Sequence, residues 1–160
     1  MTKIAVVQHP PVLLDRKSTV EKAVSLTVDA ATQGAQVVVF PEAFIPGYPT
    51  WIWRLRPGGD MKLTEKIHVE LVKNAVDLAS DDLEPLRKAA KKHGIHIMCG
   101  IDERDDTMSR STLYNTYVSI DPEGEICNRH RKLMPTNPER MVWGFCDASG
   151  LRVIDTPCGR

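Results

Sequence analysis

Residues 35–40, AQVVVF, run straight into Pro41 and Glu42, and this junction constrains the fold more than any other part of the chain. Four consecutive apolar residues, three of them β-branched, suit a strand covered on both faces. Such a strand belongs in a sheet that carries helices, and the flanking pattern agrees. Residues 3–8 (KIAVVQ) read as a short strand. Residues 15–33 then place Val20, Val24, Thr27, Val28 and Ala31 along one face of a helix, and Gly34 stands where a terminating glycine belongs. Strand, helix and buried strand together predict an α/β layered fold.

Residues 41–60 hold four prolines and three glycines, with Tyr48, Trp51 and Trp53 among them. They predict a long irregular loop, and such loops on compact domains tend to carry function. Residues 62–73 space Leu63, Ile67 and Leu71 four apart and predict a helix. Asp81, Asp82, Leu83 and Glu84 offer a capping box for another, with Pro85 in its first turn and Gly94 at its end. Strands are expected at 95–101, 114–120 and 125–130, the last two joined by the turn Asp121-Pro122-Glu123-Gly124. A sixth is expected at 152–156.

The 160 residues suffice for one domain with a sizeable core. Lys+Arg and Asp+Glu both number 21, so the net charge is +0 and a general nucleic-acid binder is not expected. No run approaches the ~20 apolar residues of a membrane helix. The N-terminal MTKIAVVQHPP is too short in apolar residues for a secretory signal, so a cytoplasmic protein is expected. Cys99, Cys127, Cys146 and Cys158 form no CxxC pair, which points to free thiols rather than a zinc site. His93 and His96 flank Gly94 and share no helix face, so no metal site is expected. The chain lacks a GxSxG elbow, a GxxxxGK[ST] phosphate loop and a GxGxxG turn.

Three stretches bear chemistry. Glu42 stands one step past a buried strand, where open α/β sheets place ligands and catalytic groups. It is either a general base or a loop carboxylate paired with a surface arginine. Lys132 ends the basic run Asn128-Arg129-His130-Arg131-Lys132. That run is either a solvated strand edge or turns Lys132 inward as a fixed positive charge for a developing anion. Glu139 follows seven residues later, beyond Pro135 and Pro138, and by itself suits the first turn of a helix.

Taken together, FPEAFIPGYPTW, NRHRKLMPT and PERMVWGFCDASG resemble the nitrilase superfamily of carbon–nitrogen hydrolases, with GYP and WIW similar to its true nitrilase branch. The resemblance runs from KIAVVQHPPVLLD to VIDTPCGR. It implies that residues 1–160 are the N-terminal part of a single carbon–nitrogen hydrolase domain, and that only the first part of a four-layer αββα sandwich is present. It implies catalytic roles for Glu42, Lys132 and Glu139. The family's nucleophilic cysteine, in a CWE motif, is expected a few residues beyond Arg160, and none of the four cysteines matches its position. The implied reaction converts a small-molecule nitrile to a carboxylic acid and ammonia through a thioimidate and a thioester, with no cofactor. Tyr48, Trp51 and Trp53 are candidates for the substrate wall, favouring an aryl or arylaliphatic nitrile, or else they anchor the loop or meet a partner subunit. Family members assemble as dimers and spirals, so a homo-oligomer is expected. A related amidase, a cyanide-converting enzyme, or an inactive chain without its nucleophile are the alternatives.

Overall fold

The computed structural model describes residues 2–160 except 106, 108 and 110. Five strands form one sheet in the order β1-β2-β3-β4-β5: β1 (Ile4–Val6), β2 (Val37–Val39), β3 (His96–Arg104), β4 (Leu113–Ile120) and β5 (Ile126–Arg131). The first three are parallel, and β4 and β5 run antiparallel to their neighbours. Parallel neighbours need crossovers. The first is α1 (Arg16–Thr32), and the second contains α2 (Met61–Asn74) and α3 (Glu84–His93).

Each helix starts for a local reason. Asp15 caps α1, its carboxylate accepting from the Ser18 N–H at 2.9 Å and the Ser18 hydroxyl at 2.8 Å. The capping box expected at 81–84 does not form. Leu83 takes the cap position of α3, and the Asp82 carboxylate instead accepts from the Asp77 N–H and pairs with Arg16. Gly94 closes α3 with φ 59°, a conformation glycine adopts without strain.

Strand parity divides the sheet. Val38, Ile97, Cys99, Ile101, Val118 and Ile120 join Val20, Ala23, Leu86 and Ala90 of the helices in the main core. The alternate residues, among them Gly100, Asp102, Asn115 and Tyr117, belong to the other face. A second apolar cluster of Ala43, Trp51, Leu71, Ala75, Leu113 and Trp143 packs α2 and the 41–60 loop together. That loop is irregular as expected, apart from a short 3₁₀ turn at Thr50–Trp53.

The strand expected at 152–156 is absent. Residues 152–155 form no regular element and pair with no strand among the described residues, Thr156 makes only an isolated bridge to Gly159, and Val153 is 73% exposed. A short β-branched stretch alone does not make a strand when no neighbour offers its N–H and C=O groups.

Candidate active site

The three charged residues singled out from the sequence meet in one cluster. Lys132 Nζ donates to Glu42 Oε1 at 2.9 Å, and to Glu139 Oε2 and Oε1 at 2.9 and 3.1 Å. Strand parity selects this lysine. Arg129 and Arg131 point to one face of β5, where both bond the buried Glu103. Lys132 lies one step past Arg131 and points to the opposite face. The basic run lies on the sheet's edge strand yet is not a single patch, because its cations serve two sites.

Glu42 owes its place to β2 and to Gly100. β2 ends at Val39, and the chain then crosses β3 at the one residue without a side chain. A Cβ on Gly100 would lie 2.5 Å from Ala43 N and 2.7 Å from Glu42 Cα. The next residue, Ala43, has φ 45°, a left-handed conformation that costs an L-residue roughly 1–2 kcal/mol and is held here by complete burial. On β4, Asn115 Nδ2 donates to Glu42 Oε1 at 2.6 Å. Both bonds to Glu42 land on Oε1, and the side chain is 50% exposed. Oε2 makes no hydrogen bond among the described residues.

Glu139 sits in a 3₁₀ turn, Pro138–Met141, rather than at the start of a longer helix, and it is buried. The Thr136 N–H donates to its Oε2 at 2.6 Å and the Tyr48 hydroxyl to its Oε1 at 2.7 Å. Burial works against its charge, but the bonds from Lys132, Tyr48 and Thr136 outweigh it and hold the carboxyl below its usual range. Burial likewise opposes the charge on Lys132, and the hydrogen bonds it donates to Glu139 and Glu42 overcome it, raising its pKa. The lysine is thus a locked ammonium.

The three loop aromatics part ways. Burial pushes the Tyr48 phenol up to about 12, so it remains a hydrogen-bond donor. Trp53 is half exposed, and its Nε1 donates to the Tyr48 hydroxyl at 3.1 Å. Trp51 is buried in the second apolar cluster and makes no polar contact with the charged residues. An apolar cavity of about 220 Å³ lies beside it, lined by Ile52, Leu55, Met61 and Met141 among others.

Sequence reasoning missed Asn115, the Thr136 N–H, Asp102 and Trp143. Trp143 is buried, stands 5.9 Å from Lys132 Nζ to its ring centroid, and donates its Nε1–H to Asp102. The only available signal was polarity at alternate positions of strands otherwise apolar, as at Asp102 and Asn115. Among the described residues no thiol touches the cluster. Cys99 is buried in the main core, and burial pushes its thiol far up.

The sheet thus brings Lys132, one step past β5, between Glu42, just past β2, and Glu139 of the 3₁₀ turn. The carbon–nitrogen hydrolase family pattern matches residues 3–160, and the chain belongs to that family. It is 40% identical over 158 residues to an aliphatic nitrilase of Rhodococcus rhodochrous, covering 99% of this chain and 41% of the relative. It is 40% identical over 161 residues to an arylacetonitrilase of Aspergillus niger, covering 99% and 44%. Among solved structures, an amidase from Nesterenkonia sp. superposes with a TM-score of 0.62 at 18% identity, covering 91% of this chain and 48% of the amidase. The chain therefore spans somewhat under half the length of these proteins.

Proposed function

We propose that the full-length protein is a nitrilase, hydrolysing a nitrile to a carboxylic acid and ammonia with Glu42, Lys132 and Glu139 in its active site. The observation that carries this is the lysine ammonium held within 3.1 Å of both carboxylates, with Glu42 Oε2 unbonded among the described residues. The nitrilases of Rhodococcus and Aspergillus support the choice of a nitrile substrate.

The nucleophile is a cysteine that follows Arg160 in the full-length chain. Glu42 Oε2 takes the thiol proton, since the thiolate is the attacking species. The sulfur adds to the nitrile carbon, and the nitrogen takes up a proton to give a thioimidate. Water then adds, ammonia leaves, and a thioester remains. A second water releases the carboxylic acid and restores the thiol. Lys132 faces the charge that develops first on nitrogen and then on oxygen. Glu139 keeps the lysine oriented. Trp53, with its exposed ring beside Tyr48, forms one wall for an aryl or arylaliphatic substituent. Trp51, buried in the second apolar cluster, anchors the loop that carries Trp53, and Tyr48 links Trp53 to Glu139. No cofactor takes part. The working form is a homo-oligomer, and its free cysteines suit the reducing cytoplasm.

The test is ammonia release by the full-length protein from phenylacetonitrile, butyronitrile and phenylacetamide. Hydrolysis of either nitrile ahead of the amide is expected, and Lys132→Ala should lower kcat by about 10²–10³. Faster turnover of the amide would make the protein an amidase.

A further inference from the structure

Asp102 is fully buried beside this cluster, yet it has no part in the steps above. Its backbone is fixed on both sides. The N–H donates to the Ile45 carbonyl and the C=O accepts from the Val76 N–H, both at 2.8 Å. Its Oδ1 accepts from Trp143 Nε1 at 2.7 Å, while Oδ2 has no partner among the described residues. The backbone of Trp143 is tied down as well. Its N–H donates to the Glu139 carbonyl at 2.9 Å, and it bridges to Leu113 of β4. The indole then meets two members of the site. Lys132 Nζ lies over its ring, and Tyr48 meets it edge-on at 5.4 Å between centroids and 74° between planes. One ring therefore backs both the ammonium and the phenol that donates to Glu139.

We propose that Asp102 is a positioning residue for the reaction: through the Trp143 N–H it fixes the indole behind Lys132 and Tyr48, and so sets where the ammonium stands between Glu42 and Glu139. This role in catalysis rests on the nitrilase assignment above. The chemistry of the group suits the task. Burial pushes its carboxyl well above the usual range, with the nearby Glu42 adding to the rise. A carboxyl that resists ionisation can pin the indole without competing with Glu42 and Glu139 for the lysine. Asparagine offers the same acceptor in the same shape, and leucine fills similar space with no acceptor at all.

The full-length protein and its Asp102→Leu, Asp102→Asn and Trp143→Phe variants decide the matter through two readouts. The first is kcat and KM for phenylacetonitrile. The second is the titration of Lys132, followed by NMR with ¹³C-labelled lysine. Asp102→Leu should lower kcat about tenfold or more and leave KM within about twofold, because the misplaced cation acts in the transition state. Its Lys132 should titrate lower as the contacts with Glu42 and Glu139 loosen. Asp102→Asn should restore most of the rate and the parent titration. The role is overturned if Asp102→Leu matches the parent in both readouts, or if Asp102→Asn is as impaired as Asp102→Leu. Should Asp102→Leu fail to fold, Trp143→Phe carries the same comparison. It keeps an aromatic ring but loses the N–H donor together with part of the indole, so no change in kcat or in the Lys132 titration overturns the role, and a fall in both that Asp102→Asn does not show supports it. A parent protein that turns over no nitrile defeats the nitrilase assignment alone, and the lysine titration still decides whether Asp102 governs Lys132.

Discussion

Two buried carboxyls near one lysine respond to pH in opposite directions. Glu139 has a lowered pKa, so its contribution to stability is present at neutral pH and lost as pH falls through its folded value. Asp102 has a raised pKa. The folded state then holds a proton that the unfolded state releases above the ordinary value of 3.8, and stability declines as pH rises from there toward the folded value. Asparagine at this position has no proton to lose. Asp102→Asn should therefore gain stability relative to the parent as pH rises above the ordinary carboxyl value of 3.8, by up to about 1.4 kcal/mol per pH unit while the folded acid stays protonated. Denaturant melts of both proteins at several pH values measure this, and a difference that stays flat with pH would mean that Asp102 ionises in the fold as it does in the unfolded chain. Tyr48 makes a simpler case. Tyr48→Phe deletes the donor to Glu139 Oε1 and the acceptor of the Trp53 indole, at a cost of about 1–3 kcal/mol in stability. A melt shifted by less than the error of the measurement would show that solvent replaces both bonds.

The elements explain why part of the site could be read and part could not. β2 was legible because a run of valines has few other uses, and Glu42 was legible because it ends that run. The lysine could be narrowed to a run of cations, and only the period of two along β5 separates Lys132 from Arg129 and Arg131. Asn115 and Asp102 stayed hidden for the opposite reason. In strands buried on both faces, hydrophobicity does not mark which face is which, so Asn115 gave no sign of pointing to the site and Asp102 read as the end of its strand. The false strand at 152–156 shows the same limit, since a local pattern carries no information on whether a neighbour is there to pair with. Gly100 joins the element to the site, because the chain bearing Glu42 lies directly on it. Gly100→Ala should push that crossing away, costing about 1–3 kcal/mol and lowering kcat more than any alanine on the helices. Thermal melts and turnover of the full-length protein check both effects, and unchanged turnover would show that the loop absorbs the methyl group elsewhere.

At the scale of the whole molecule, the two faces of the sheet are unequally covered. α1 and α3 close one face around the main core. On the other, β1 is an edge strand whose Ile4 and Val6 are 51% and 70% exposed, and the segment 152–155 adds an exposed Val153. Apolar side chains beside an open strand edge favour association, since burying them gains roughly 25 cal/mol per Å² and the edge supplies unpaired backbone groups. The relatives are more than twice as long as this chain, so in a full-length protein further residues are available to cover this face. The 160-residue chain expressed alone should therefore self-associate and bind an apolar dye such as ANS, while the full-length protein binds much less per molecule. Val6→Lys should weaken association of the short chain, because the mutation places a charge where two apolar edges would meet. Sedimentation at several concentrations separates the outcomes. A short chain that stays monomeric, with Val6→Lys indistinguishable from it, would place the association surface elsewhere, and dye binding equal in both lengths would mean that the exposed face remains open in the complete protein.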